Sequence, residues 1–153
     1  MSINEKLNKM GIQIPQTPKP VAAYVPAVKT GSYIYTSGQI PSVDGKLMYK
    51  GKVGKDLSLE EGYEAAKICA INCLSAIKSL IEDLDNIDKV IKVTGFVNSA
   101  EGFNLQPKVV NGASDFLGNL FGDKGAHARS AVGVSCLPLD AAVELEMIVR
   151  IKD

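Results

Sequence analysis

The chain has 153 residues, of which 46% are hydrophobic and 22% charged, and its formal net charge at pH 7 is zero. This length supports one domain over residues 1–153, and the composition is that of a globular protein rather than a disordered one. The balanced charge gives no support to a nucleic-acid or anionic-membrane partner, since such binders usually carry a basic excess. No apolar run of about 18 residues is present, so we expect no membrane span.

The first 20 residues predict a short helix followed by an extended connector. Residues 2–10 have apolar side chains at helical spacing, and Gly11 ends the pattern. Pro15, Pro18 and Pro20 then favour extended backbone. The start lacks a basic segment followed by an apolar one, so we expect no secretion signal and a cytoplasmic location.

The three cysteines also favour a cytoplasmic location. Cys69 and Cys73 lie four residues apart on a predicted helix face, and Cys136 lies at the end of a predicted strand. We interpret them as buried, reduced thiols, which suits a reducing compartment. The only histidine, His127, is far from them in sequence, and we predict no metal site.

Two strands, 22–29 and 33–39, flank a tight turn and predict a β-hairpin. The second strand ends in Thr36-Ser37-Gly38-Gln39, where small residues allow a ligand to approach the backbone closely. A bulge or an ordinary strand end explains these residues equally well. Residues 41–57 are predicted to form a looser loop with a turn at Asp44-Gly45.

The remaining elements alternate between helices and strands. Ser58 and Glu61 form a capping box that opens a long amphipathic helix over residues 59–82. The other predicted elements are a strand at 89–98, a helix at 106–121, and strands at 128–137 and 143–152. This order predicts an α+β domain with two helices packed on one face of a mixed β-sheet.

The last two strands each begin near a charged side chain, Arg129 and Glu144. If these strands form an antiparallel hairpin, Arg129 lies near residue 150, roughly 20 Å from Glu144 at about 3.3 Å per residue. The two side chains then cannot contact one small substrate within a single chain. Either they are unrelated, or a neighbouring subunit brings them together in an intersubunit cleft.

Both side chains have a simple structural interpretation as well as a functional one. An arginine at a strand start is often a surface or ion-pairing residue, and glutamates on a polar strand face are often merely solvated. The functional interpretation is that Arg129 binds a carboxylate in a bidentate manner, whereas Glu144 transfers a proton to or from water.

From Ala22 to Lys152 the chain resembles the YjgF/RidA family of enamine/imine deaminases, members of which have also been called endoribonuclease L-PSP or translation initiation inhibitor. No single motif carries the resemblance, but together in this order they are specific. They are Tyr24, Ile34-Tyr35-Thr36-Ser37-Gly38-Gln39-Ile40, Val93-Thr94-Gly95-Phe96-Val97, Asn111, Ala128-Arg129-Ser130, Leu137-Pro138 and Val143-Glu144-Leu145-Glu146.

The resemblance implies a chorismate-mutase-like fold and a trimeric, barrel-like assembly with clefts between the subunits. It implies that Arg129 binds the substrate carboxylate and that Glu144 activates water and assists proton transfer. The substrate-binding residues implied are Tyr24, Ser37, Gly38, Asn111 and Ala131. The reaction implied is hydrolysis of a 2-imino acid to a 2-keto acid and ammonia, without a cofactor.

The chain also departs from the family pattern. Many members have cysteine where Ala131 stands, and alanine preserves the role only if this position acts through its backbone. The segment 125–128 lacks the usual aromatic residue and proline, and His127 is either structural or close to the cleft mouth. The N-terminal helix and the 41–57 loop make this a longer variant.

Three hypotheses follow for the function. The first is a trimeric imine deaminase. The second is a non-catalytic regulatory protein that binds a small carboxylate in the same cleft. The third, an endoribonuclease or translation inhibitor, is disfavoured by the zero net charge and by the lack of a basic, aromatic-rich strand face.

Overall fold

The computed structural model describes residues 1–19 and 21–153, and within them it forms three α-helices and seven β-strands. In chain order these are α1 (Ile3–Lys9), β1 (Ala27–Thr30), β2 (Tyr33–Thr36), β3 (Ser42–Val43), β4 (Lys46–Leu47), α2 (Leu59–Ile81), β5 (Ile87–Asn98), α3 (Gln106–Phe121), β6 (Ala128–Val134) and β7 (Val143–Ile151). Pro20, part of the expected connector, lies outside the described residues.

The helices form where the sequence predicts them. At the start of α2, Ser58 Oγ accepts from the Glu61 N–H at 3.1 Å and the Ser58 N–H donates to the Glu61 carboxylate at 2.7 Å, which completes the capping box. The prediction for α3 is confirmed at both ends. Helix α1 also begins with a capping box, at Ser2 and Glu5.

Five strands form one mixed sheet in the order β1-β2-β7-β5-β6. The β1–β2 hairpin is confirmed, with Ala27 opposite Thr36. The predicted hairpin of the last two strands is wrong, because β5 lies between β6 and β7 and pairs with both. It pairs in parallel with β6 and antiparallel with β7. A parallel pair needs a long crossover, and α3 provides it between β5 and β6.

Helices α2 and α3 cover one face of this sheet, as the α+β prediction requires. That face contributes Val93 and Val97 of β5 and Leu145, Met147 and Val149 of β7, all nearly inaccessible to solvent. The other face is open. It carries exposed apolar side chains, including Val28 at 53%, Tyr35 at 45% and Val132 at 42% of their possible exposure.

Several details differ from the predictions. Strand β2 ends at Thr36 rather than at residue 39, and β6 ends at Val134 rather than at residue 137. The first strand starts at Ala27 rather than residue 22, since Pro26 has no N–H for the ladder, so Tyr24 precedes the strand. The 41–57 loop contains the small β3–β4 ribbon. The thiols of Cys69 and Cys73 are buried, as expected, but Cys136 is exposed.

Burial of the two α2 thiols also has a chemical consequence. Desolvation raises the pKa of Cys73 to about 12 and raises that of Cys69 well above its usual value. Both thiols therefore stay protonated near neutral pH.

No helix within the described residues is both long enough and apolar enough to span a bilayer.

Candidate functional site

Arg129 lies on the edge strand β6 and points towards α3. It pairs with Val93 of β5, whose side chain is buried beneath the helices, so both side chains lie on the helix-covered face. Its Nη1 donates to Asn111 Oδ1 at 2.8 Å and to Ser114 Oγ at 3.1 Å, and Nη2 donates to the Pro107 carbonyl at 3.4 Å. One face of α3 therefore fixes the orientation of the guanidinium.

All the groups that hold Arg129 are neutral. The one ion pair among residues 1–19 and 21–153 joins Arg150 to Asp88 at 2.6 Å, so within that part of the chain Arg129 has no carboxylate partner. Three of its five N–H donors are engaged, which leaves Nε–H and one Nη2–H. The site thus offers a half-buried, uncompensated positive charge with two free donors.

Ala131 belongs to the same surface. It lies two residues along β6 from Arg129, on the same face, opposite Gly95 of β5. Its side chain is half-buried and packs against the core. We refer to Asn111, Ser114, Arg129 and Ala131 as the arginine half-site.

Glu144 lies on the opposite, open face of the sheet. It pairs with Phe96, and Val93 and Phe96 are three residues apart on β5, so their side chains point to opposite faces. The carboxylate of Glu144 lies against the backbone of Gly38, where a methyl group would come within 2.0 Å of Oε1. Gly38 therefore leaves the space that this carboxylate occupies.

The environment of Glu144 favours its protonated form. Desolvation by partial burial is the main cause, and the negative charge of nearby Glu146 adds to it, so the pKa of Glu144 is raised above its usual value. A carboxyl group with a raised pKa is better matched to proton transfer near neutral pH than an ordinary one.

Ser37 holds the chain segment that follows the connector. Its hydroxyl donates to the Val25 carbonyl at 2.6 Å and its N–H donates to the Pro26 carbonyl at 2.8 Å. Tyr24, next in the chain to Val25, is largely exposed at 59%. Ser37 therefore acts on segment 24–26 rather than pointing a free hydroxyl at a ligand. We refer to Tyr24, Ser37, Gly38 and Glu144 as the glutamate half-site.

The two half-sites do not meet within one chain. Arg129 and Glu144 are separated by two strand spacings, about 10 Å, and by three residues along β5, about 10 Å more in the perpendicular direction. Their Cα atoms are therefore about 14 Å apart and their side chains lie on opposite faces. The roughly 20 Å separation expected from a hairpin of the last two strands is too long, because those strands do not pair with each other. Even at the shorter distance, one chain cannot bring Arg129 and Glu144 to the same small substrate.

His127 extends the arginine half-site. Its Nε2 is 2.9 Å from Ser114 Oγ, and its Nδ1 is 2.6 Å from the Gly125 carbonyl oxygen. The sequence places His127 either in a structural role or near the cleft mouth, and it lies two hydrogen bonds from the Arg129 guanidinium, through Ser114.

Two partners of Arg129, Ser114 and Pro107, are not among the site residues predicted from the sequence. Positions 107, 111 and 114 have the spacing of one helix face, so Asn111 together with the predicted helix could have identified both. In residues 1–19 and 21–153, the His, Cys, Asp and Glu side chains form no group of three or more that could hold a metal ion.

Comparison with known proteins identifies the family. Residues 4–150 match the model described as "YjgF/chorismate mutase-like, putative endoribonuclease", and the chain belongs to this family. The resemblance inferred from the sequence motifs is therefore confirmed, and so is the chorismate-mutase-like fold.

Three relatives illustrate the range of names in the family. The chain is 39% identical over 148 residues to Protein TCP17 of Trypanosoma cruzi, covering 96% of this chain and 92% of that protein. It is 32% identical over 134 residues to the 2-iminobutanoate/2-iminopropanoate deaminase of Salmonella typhimurium, covering 86% and 89%. The crystal structure of a "putative endoribonuclease" from Shewanella oneidensis superposes with a TM-score of 0.94 at 28% identity, covering 99% and 100%.

Proposed function

We propose that this protein hydrolyses 2-imino acids, formed from 2-enamino acids such as 2-aminoacrylate, to 2-keto acids and ammonia. The observation that carries the proposal is the state of Arg129. Its guanidinium is oriented by neutral groups, lacks a carboxylate partner among the described residues and retains two N–H donors. Two donors on one planar cation suit the carboxylate that every 2-imino acid carries.

Glu144 supplies the acid–base chemistry in this proposal. Its ionised form takes a proton from water as the water oxygen bonds to the carbon of the protonated imine, and the π electron pair of the C=N bond moves to nitrogen, which gives a neutral carbinolamine. Glu144 returns this proton to the nitrogen. Its carboxylate then takes the hydroxyl proton as the C=O bond forms and the C–N bond breaks, and the departing ammonia takes that proton from Glu144 and leaves as ammonium. The imine carbon is already electrophilic, so orientation and one proton-transfer group are sufficient.

The proposal requires a second subunit, because Arg129 and Glu144 lie on opposite faces of one sheet. We infer a cyclic homotrimer in which the arginine half-site of one subunit faces the glutamate half-site of its neighbour. The exposed apolar side chains on the open sheet face, such as Val28, Tyr35 and Val132, support an assembly that buries this face. Tyr24 and Ala131 then line the cleft between subunits.

The direct test measures imine hydrolysis. An amino acid oxidase generates 2-imino acids in situ, and formation of the 2-keto acid is followed with and without the protein. We expect acceleration that is lost in Arg129→Ala and strongly reduced in Glu144→Gln. Tight binding of 2-keto acids without acceleration would instead support a non-catalytic carboxylate-binding protein. Cleavage of RNA that survives both substitutions would support the endoribonuclease interpretation.

Subunit mixing tests the shared cleft. Arg129→Ala and Glu144→Gln chains are unfolded together in equal amounts and refolded, so that mixed trimers form. A cleft is intact when Arg129 comes from one variant and Glu144 from the other, which holds for about one quarter of the clefts in a random cyclic mixture. We expect about a quarter of the wild-type activity. Activity no higher than the two separate variants would contradict a shared site.

A further inference from the structure

The arginine half-site contains a hydrogen-bond chain behind the guanidinium. It runs from Arg129 Nη1 to Ser114 Oγ, from Ser114 Oγ to His127 Nε2, and from His127 Nδ1 to the Gly125 carbonyl oxygen, with distances of 3.1, 2.9 and 2.6 Å. Neither Ser114 nor His127 has a role in the proposed chemistry. Both are half-buried, and the chain links three separate segments: α3, the turn before β6, and β6 itself.

For a neutral imidazole, the chemistry of the two ends fixes the direction of every bond. A carbonyl oxygen can only accept, so His127 Nδ1 carries a hydrogen and donates it to Gly125. A neutral imidazole then has a lone pair on Nε2, which accepts the hydroxyl hydrogen of Ser114. A guanidinium can only donate, so Ser114 Oγ accepts from Arg129 Nη1 through its own lone pair. Each group in the chain therefore has the partner that it needs.

Of the two neutral tautomers of His127, only the one with hydrogen on Nδ1 completes this hydrogen-bond chain. If the hydrogen were on Nε2 instead, Nδ1 and the Gly125 carbonyl would be two acceptors 2.6 Å apart. The Ser114 hydroxyl would also lose its acceptor. The carbonyl of Gly125 therefore selects the tautomer that lets Ser114 present a lone pair to Arg129.

We propose that Ser114 and His127 are positioning residues, which orient Arg129 so that its Nε–H and second Nη2–H face a substrate carboxylate. Asn111 holds the same Nη1 from the other side at 2.8 Å, so the guanidinium is fixed by two acceptors rather than one. Two acceptors on Nη1 prevent rotation about the last side-chain bonds and keep the free donors pointing outwards.

This inference rests on the proposed function of Arg129, but its test can fail separately. Arg129 contacts the carboxylate in both the ground state and the transition state, so poorer orientation weakens binding without changing the chemical step. We therefore expect Ser114→Ala to raise KM and the Kd for 2-oxobutanoate about 3- to 10-fold, the value of one net hydrogen bond. The value of kcat should stay within about 2-fold.

Two substitutions of His127 form a matched pair. In His127→Gln the side-chain carbonyl can reach the Nε2 position and accept from Ser114, so binding should stay close to wild type. In His127→Asn the shorter side chain can replace only the Nδ1–H bond to Gly125, and binding should weaken as in Ser114→Ala. The double variant Ser114→Ala with His127→Asn should be no worse than either single variant, because all break the same chain.

The outcomes separate the two claims. Loss of 2-oxobutanoate binding in Arg129→Ala, with unchanged binding in Ser114→Ala and His127→Asn, would overturn the positioning role and leave the proposed function intact. Wild-type protein that neither binds 2-oxobutanoate nor hydrolyses imines would overturn the proposed function. In that case ¹⁵N NMR of the His127 imidazole would still test the hydrogen-bond chain. Hydrogen on Nδ1 would support the chain, and hydrogen on Nε2 would overturn it.

Discussion

Substituting Gly38 with alanine displaces the carboxylate of Glu144, the proposed acid–base group, while leaving the Glu144 residue itself unchanged. The added methyl group would lie 2.0 Å from Oε1, 2.8 Å from Cδ and 3.1 Å from Cγ of Glu144. Cβ atoms essentially never come within 3.0 Å of another heavy atom, so the carboxylate must move by at least about 1 Å. Gly38 does not have a left-handed backbone conformation, so alanine itself introduces no backbone strain there.

The expected effects on activity and stability differ widely. A misplacement of about 1 Å at a catalytic group can cost about 100-fold in rate, so we expect kcat to fall by about that factor. The shifted rotamer of Glu144 costs about 0.5–1.5 kcal/mol. Replacing glycine with alanine recovers about 0.4–1 kcal/mol by restricting the unfolded chain. The free energy of unfolding should therefore change by less than about 1 kcal/mol.

The assay is the oxidase-coupled conversion of 2-imino acids, with thermal unfolding measured on the same samples. Gly118→Ala is the matched control, since a methyl group at this exposed helix position meets nothing within 4 Å. Its activity should equal that of the wild type. A double-mutant cycle with Glu144→Gln identifies the route, because Gly38→Ala should have little further effect once the carboxylate is gone.

Two results would refute this reasoning. Wild-type kcat in Gly38→Ala would mean that the position of the Glu144 carboxylate does not matter to the reaction. Full additivity with Glu144→Gln would mean that the methyl group acts on something other than Glu144, such as the bound substrate.

Two further predictions concern pH and packing. Because Glu146 helps to raise the pKa of Glu144, and the ionised form of Glu144 accepts the proton, Glu146→Gln should move the acidic limb of the kcat/KM profile to lower pH; an unchanged limb would exclude this coupling. In Gly112→Ala the methyl group would lie 1.9 Å from the backbone carbonyl oxygen of Tyr63, so separating α2 from α3 should cost about 1–3 kcal/mol in a denaturant titration, whereas Gly118→Ala on the same helix should be neutral or stabilising.

The sequence predicts the helices well because their signals are local. The Ser58–Glu61 capping box marks the start of α2, and apolar spacing together with the glycines after Leu117 delimits α3. Sheet pairing is not local, and the predicted hairpin of the last two strands failed for that reason. A strand–helix–strand unit normally has parallel neighbouring strands, so β5-α3-β6 is better read as such a unit, with β7 on the other side of β5.

The residues of the candidate site show the same contrast between local features, which the sequence predicts, and long-range contacts, which it does not. Motifs identify Arg129, Asn111, Gly38 and Glu144, because each is a recognisable residue at a strand end or on a helix face. They do not reveal that the Ser37 hydroxyl donates a hydrogen bond to the Val25 carbonyl, since that bond depends on the path of the chain just before β1. The contact between Gly38 and Glu144 likewise depends on the path of the chain beyond β2, where Gln39 pairs with Leu145 of β7.

The placement of Arg129 and Glu144 makes quaternary structure a condition of the proposed chemistry. Side chains on opposite faces of a sheet cannot be joined by rotamer changes, and a shift of β7 by one residue would expose its apolar face to solvent. Activity therefore cannot come from a rearranged single chain. If the protein hydrolyses imines through both residues, an isolated subunit must be inactive even when fully folded, and activity should fall with assembly on dilution.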